Sequence, residues 1–263
     1  MTGLELPRDR GETQPAIRTR LPAWTAVFGL PLARVALAAA AQLGLALAFA
    51  AATNPAPWRW AGAWWVAWLV PVNVATLALL ARRQRAGGER FGQLFGPPSQ
   101  PPRRDLPWYV LALVVSVPLG VLPNLLLGRL LWGSAFAGTT SSFAAMPSGL
   151  VWLLAALVPL TQGLAEPPLY LGYVLPRLRR LGVHRGRAIA ITAAAMSLQN
   201  VFFPWLWDWR FALWRALMFL PLCLWLGWLV ARRPSLLPYL AVAHGVMNLS
   251  LVFLVLRVSI PLG

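Results

Sequence analysis

Long apolar runs alternate along this chain with short connections rich in either arginine or tryptophan. A helix needs about 20 predominantly apolar residues to cross a hydrocarbon layer about 30 Å thick. Seven stretches meet that requirement, at 35–53, 60–81, 107–132, 148–176, 188–204, 211–231 and 236–256. The pattern predicts an all-α fold, a polytopic membrane helix bundle of about seven transmembrane helices. The fifth stretch is the shortest, so it is expected either to begin in the preceding loop or to sit where the bilayer is thinned.

The connections orient the bundle. Arg8, Arg10, Arg18, Arg20 and Arg34 precede the first run, and Arg82, Arg83, Arg85, Arg90, Arg103 and Arg104 separate the second from the third. Arg177, Arg179, Arg180, Arg185 and Arg187 follow the fourth run, and Arg232 and Arg233 follow the sixth. The intervening connections, TNPAPWR, GSAFAGTTSSFAAMP and WLWDWR, carry one arginine or none. Positive-inside bias then places the N-terminus in the cytoplasm and the C-terminus outside, with Trp58, Trp60, Trp205, Trp207 and Trp209 in the outer interfacial belt.

Residues 1–34 read as a cytoplasmic tail and interfacial segment, and residues 35–263 as one membrane domain. The first twenty residues carry four arginines and three acids without an apolar core, so they do not read as a cleavable signal peptide. The segment GPPSQPP at 96–102 is expected to be an extended, mobile connection.

Composition strengthens the membrane reading. With 59% hydrophobic residues, 11% charged residues and a mean hydropathy of +0.63, the chain has more apolar surface than a globule of 263 residues buries. The formal charge of +16 comes from arginine alone, since there is no lysine. That bias reflects GC-rich coding, and the expected location is the inner (cytoplasmic) membrane of a bacterium. The arginines cluster between apolar runs without a nucleic-acid fold signature, so they act as topology determinants and no nucleic-acid partner is expected. The single cysteine, Cys223, rules out an internal disulfide and a multi-cysteine metal cluster, and reads as a small buried hydrophobe.

One carboxylate changes the picture. Glu166 is the only acid at membrane depth; Glu5, Asp9 and Glu12 fall in the tail, Glu89 and Asp105 in a polar connection, and Asp208 in a Trp-rich loop. A charge at the bilayer centre costs about 2.5–3.5 kcal/mol on insertion scales, so such a residue is paired, protonated or turned to a polar cavity. The other polar side chains within the runs are Gln42, Asn73, Asn124, Thr161, Gln162, Ser197, Gln199, Asn200, Arg215, His244, Asn248 and Ser250. Most of them are expected simply to bond across helices.

Counting the helical rise from the nearest cytoplasmic arginine puts Glu166 and His244 each about 16 Å deep, Asn200 about 20 Å and Asn248 about 22 Å. His244 and Asn248, spaced i and i+4, share one helix face. These depths allow a cavity lined by Glu166, Asn200, His244 and Asn248. A carboxylate in a poorly solvated pocket serves as base or acid near neutrality, and an imidazole N–H beside an amide can donate to the oxyanion formed when water attacks a carbonyl. Zinc needs at least three good ligands, and only Glu166 and His244 qualify at this depth, so neither a metal nor another cofactor is expected. His184, in RLGVHRGR, reads as a solvated loop histidine.

At these residues the chain resembles the CAAX-protease and bacteriocin-processing family of intramembrane endopeptidases, also called CPBP or ABI, over roughly 148–256. The family's first motif, EExxxRG, corresponds to Glu166-Pro-Pro-Leu-Tyr-Leu-Gly172, with Pro167 in place of the second glutamate and Leu171 in place of the arginine. Its second motif, FxxxH, falls on Met196-Ser-Leu-Gln-Asn200, with Asn200 in place of histidine, and its third, HxxxN, is intact as His244-Gly-Val-Met-Asn248.

The resemblance implies Glu166 as base and His244 and Asn248 as oxyanion donors, with Asn200 where the family uses a histidine to help activate water. It also implies a membrane-associated peptide or protein as substrate, beside the lipid bilayer as surroundings. Pro167 and Pro168 remove backbone donors, so a helix break is expected just after Glu166, freeing carbonyls near Gly163 and Leu164. Two other readings stay open: a catalytically inactive relative that binds a membrane peptide, lipid or protein, and a solute or proton transporter relaying protons through Glu166. No repeated half accompanies the last.

Overall fold

The computed structural model describes residues 20–96, 102–140 and 142–259. Among them are twelve α-helices and no strand: α1 (Arg20–Ala51), α2 (Pro57–Ala63), α3 (Trp65–Ala86), α4 (Leu106–Trp132), α5 (Ala137–Thr140), α6 (Ser148–Pro167), α7 (Leu175–Arg180), α8 (Arg185–Leu198), α9 (Trp209–Leu217), α10 (Leu220–Arg232), α11 (Leu237–Met247) and α12 (Leu249–Ser259). Consecutive pieces join into six helices long and apolar enough to cross a membrane: Ala23–Ala51, Trp65–Ala86, Leu106–Trp132, Ser148–Arg180, Trp209–Arg232 and Pro234–Ser259. The fold is the polytopic helical bundle that the hydropathy pattern predicts.

The stretch at 188–204 does not join those six. There α8 has 14 residues, extended by a 3-10 turn of 4 residues, Gln199–Phe202. Its alanine-rich sequence lets it lie against α10, with Ala188, Ile189 and Ala193 buried, so close packing on protein replaces the apolar length a lipid-facing span needs.

The first helix starts earlier than the sequence reading places it. Residues 20–34, read as part of the N-terminal segment, form the first half of α1. The apolar run LPAWTAVFGLPLA continues into the predicted span through Arg34, whose charge hides the continuity from a hydropathy window. Arg34 is therefore no loop topology residue; it is fully buried. The tail arginines Arg8, Arg10 and Arg18, the acids Glu5, Asp9 and Glu12, and residues 97–101 of the proline-rich connection lie outside the described residues.

The helix carrying Glu166 does not break at the two prolines. It widens instead: α6 runs through Pro167, a π-helical segment spans Pro168–Val174, and α7 continues to Arg180. Prolines at 167 and 168 cannot donate to the carbonyls of residues 163 and 164, and the wider winding lets the chain go on without those two bonds. At the end of the segment the Leu175 N–H reaches Tyr170 O, five residues back. Leu169, Tyr170, Leu171, Tyr173 and Val174 are all buried, so this segment runs through the middle of the bundle.

Around it, α6 packs against α3, α11 and α12. The approach of α6 to α11 depends on two glycines. A Cβ on Gly163 would lie 2.5 Å from Ala241 O, and one on Gly245 would lie 2.5 Å from Pro159 O. Small residues let membrane helices approach at backbone distance, where packing replaces the hydrophobic effect as the cohesive force. This contact sets Glu166 opposite His244. Gly245→Ala is expected to cost about 1–3 kcal/mol by overpacking, read as a lowered unfolding midpoint of the purified protein in detergent, whereas Gly149→Ala, in open space, leaves the midpoint unchanged.

The two ends of α3 show opposite chemistry. At its C-terminal end Glu89 lies 3.7 Å from Arg177 and 3.8 Å from Arg180, and buried Asp105 lies 3.8 Å from Arg233. At its N-terminal end Trp58, Trp205 and Trp207 pack ring against ring, and Gln42 exchanges hydrogen bonds with the backbone of Trp205. His184 caps α8, its Nδ1 accepting from Gly186 N, and its side chain is exposed. Between the ends, α4 leaves Val110, Val114, Val117, Val121, Leu126 and Leu130 exposed, an apolar surface of the kind a bilayer covers.

Candidate functional site

Glu166, Asn200, His244 and Asn248 line one cavity of about 660 Å³. Glu166 sits in the last turn of α6, immediately before the π-helical segment, and is 6% exposed. Its Oε2 lies 3.5 Å from His244 Nε2 on α11. One turn earlier on its own helix, Gln162 donates Nε2 to the same oxygen. The match in depth inferred for Glu166 and His244 is thus a direct side-chain approach.

The two asparagines are turned differently. Asn200 Nδ2 donates to Met196 O and Ser197 O, both at 3.2 Å. Both of its N–H groups are spent on its own helix, and Oδ1 is left as an acceptor. Asn248 stands at the joint between α11 and α12, where its Nδ2 donates to His244 O at 2.7 Å. That uses one of its two N–H groups and leaves the other.

The cation near Glu166 comes from a residue that charge counting along the chain assigns to a loop. Arg34 Nε donates to Gln199 Oε1 at 3.0 Å, Nη1 to Asn73 Oδ1 at 2.8 Å and Thr76 Oγ1 at 3.3 Å, and Nη2 to Gln162 Oε1 at 3.2 Å. Tyr170 Oη also donates to Gln199 Oε1, at 3.0 Å, and Asn73 Nδ2 donates to Thr161 Oγ1 at 3.2 Å. Helices α1, α3 and α6, the π-helical segment and the 3-10 turn after α8 therefore meet in one polar network. Gln162 joins it to Glu166: its carbonyl accepts from the guanidinium while its amide donates to the carboxylate.

Leu171 occupies a different environment. It is buried in an apolar cluster with Leu222, Leu226, Leu229, Leu236 and Leu237. A cation there would be set among leucines, whereas Arg34 reaches the carboxylate's neighbour Gln162. The sequence signal for this role was a lone arginine inside an apolar stretch, with no other charged or amide side chain from Ala26 to Ala41.

Arg215 is the second cation lining the cavity, on the last turn of α9 and 5% exposed. Its Nε donates to Asn200 O at 3.0 Å, and its guanidinium lies 5.2 Å from the Trp65 ring and 5.7 Å from the Trp214 ring. Among the described residues no group of three or more His, Cys, Asp and Glu side chains is placed to hold a metal ion. Chemically the site offers one carboxylate, an imidazole in contact with it, an amide acceptor at Asn200 and an amide donor at Asn248. Such a set can move a proton at Glu166 and donate to negative charge at His244 and Asn248.

Residues 147–250 match the protein-family profile described as "Type II CAAX prenyl endopeptidase Rce1-like". The matched segment takes in all four of these residues and nearly coincides with the stretch over which the motifs resemble the CPBP family. No curated protein and no solved structure matches the chain.

Proposed function

Because residues 147–250 carry an Rce1-like domain, consistent with a member of the CPBP family, we propose that this chain is an intramembrane endopeptidase that hydrolyses a peptide bond near the cytoplasmic side of the membrane. The bacterial cytoplasmic membrane is its proposed location, and a membrane-associated peptide or protein its substrate. The observation that carries the reading is the 3.5 Å approach of Glu166 Oε2 to His244 Nε2 inside the cavity.

In this mechanism Glu166 takes a proton from a water whose other hydrogen is accepted by Asn200 Oδ1. The water oxygen attacks the scissile carbonyl carbon, and the oxyanion accepts from the His244 imidazole N–H and the remaining Asn248 N–H. Glu166 then returns the proton to the amide nitrogen as the C–N bond breaks. Asn200 orients the water without taking its proton, since an amide is not a base at physiological pH. Arg34, acting through Gln162, holds Glu166 in place and balances its charge.

The test is cleavage of an apolar peptide library by the purified protein in lipid nanodiscs, set beside its Glu166→Gln and His244→Ala variants. Fragments that both substitutions abolish support the reading; fragments unaffected by both overturn it. A second reading, a non-catalytic relative that binds a membrane peptide, lipid or protein in the same cavity, draws support from Asn200, whose N–H groups are both spent on its own helix. Asn200→His separates the two. A histidine there keeps one bond to Met196 O or Ser197 O through Nδ1 and turns Nε2 to the cavity as a base. In a working peptidase it is expected to raise kcat about tenfold or more, whereas a chain that cleaves nothing before or after the change favours the binder.

A further inference from the structure

The cavity's charges do not balance. Its lining holds two guanidiniums, Arg34 and Arg215, and a single carboxylate, Glu166. Arg34 is saturated, with four side-chain acceptors around its three nitrogens, one of which leads to Glu166. Arg215 has a single hydrogen bond among the described residues, from Nε to Asn200 O, and no carboxylate within ion-pair distance. A guanidinium withdrawn from water to this extent is costly without an anion and hydrogen-bond acceptors.

We propose that Arg215 recognises a carboxylate carried by the peptide that enters this cavity; this rests on the peptidase reading above. The Nε bond and the Trp65 and Trp214 rings hold the guanidinium in one orientation and leave its two terminal nitrogens for a planar, two-point acceptor. A second donor stands in the same lining. Asn124 Oδ1 accepts from Trp214 Nε1 at 2.9 Å, so the Asn124 amide nitrogen is the side left over, with no acceptor among the described residues. Met218, Phe219 and Leu222 make the wall around these groups apolar, and Val117 and Val121, on the exposed face of α4, border the same cavity. The ligand is thus an apolar chain with one anionic group.

Depth selects a peptide over a phospholipid headgroup. Trp207 and Trp209 are exposed at the tryptophan-rich end, and Arg215 lies six residues along α9 from Trp209, about 9 Å toward the interior. A phosphate held at the level of those rings stops short of the guanidinium. A peptide advances about 3.3–3.6 Å per extended residue and can carry either its terminal carboxylate or an Asp or Glu side chain to that depth. Binding there fixes which peptide bond lies at Glu166, so Arg215 sets the register of cleavage.

The test reads binding rather than turnover, so its result stands apart from whether the chain cleaves anything. The His244→Ala variant keeps all the cavity's formal charges. In nanodiscs of neutral lipid it is titrated with one labelled apolar peptide in three forms: a free acid, a C-terminal amide, and an amide with a glutamate near its end. The free acid is expected to bind about tenfold or more tightly than the plain amide. Arg215→Gln in the same background is expected to erase that difference and Arg215→Lys to keep part of it.

Tight binding of the glutamate-bearing amide identifies a side-chain carboxylate as sufficient; binding at the plain amide's level assigns the terminal one. Equal binding of acid and plain amide overturns the proposal, as does an acid preference that survives Arg215→Gln. Displacement of the free acid by glycerol phosphate as readily as by acetate would reassign the site to a headgroup and also overturn it. Should Arg215→Gln fail to fold, the acid and amide comparison in the parent decides.

Discussion

Glu166→Gln is expected to lower peptide-bond cleavage by about 10²–10⁴-fold, the range in which a positioned general base contributes. Among the described lining residues Glu166 is the only Asp or Glu, Asn200 and Asn248 have no basic atom at physiological pH, and His244, the one other base, is committed to the oxyanion. The substituted amide is nearly isosteric and its oxygen still accepts from Gln162, so the unfolding midpoint is expected to change little while kcat falls. His244→Ala is expected to cost about 10²–10³-fold, the range for an oxyanion donor. Single-turnover kinetics with one defined peptide, paired with a melting curve for each variant, separates loss of chemistry from loss of fold. A Glu166→Gln variant that turns over at the parent rate would remove Glu166 from the mechanism.

Arg34→Leu is expected to reduce stability by roughly 3–5 kcal/mol, the cost of removing one partner from a buried charged network. The substitution strips the donor from Gln199, Asn73, Thr76 and Gln162 together and leaves Glu166 without its linked cation. Activity is expected to fall with it, because Gln162 positions the carboxylate only while its own carbonyl is held. Arg34→Lys keeps the charge but not the forked geometry, so an intermediate loss is expected. Leu171→Arg does not rescue Arg34→Leu, since a guanidinium at position 171 points into the leucine cluster of α10 and α11. Denaturant unfolding in detergent micelles checks both; rescue by Leu171→Arg would show that the two positions exchange roles after all.

Much of the site is readable one residue at a time. Glu166 stands out because no other acid interrupts an apolar run, and His244 matches its depth because helical rise is regular. Their 3.5 Å approach needed one thing more than equal depth, the close packing of α6 on α11 through Gly163 and Gly245. The proline pair was read as a break, because a missing N–H is a local fact while the π-helical winding that absorbs it depends on the packing around Tyr170 and Tyr173. Arg34 was read as a topology residue for a similar reason: a hydropathy window registers its charge and not its four acceptors.

Sequence alone determined the class of fold and the carboxylate at its centre, because bilayer thickness sets helix length and the cost of a membrane charge attaches to the residue itself. Tertiary structure decided that Arg34 is linked to Glu166 through Gln162, which way Asn200 faces, and that Arg215 stands in the cavity with no carboxylate within ion-pair distance among the described residues. Those outcomes rest on contacts between residues far apart in the chain. Arg34 and Gln199 are 165 positions apart, and only the juxtaposition of helices makes one the acceptor for the other.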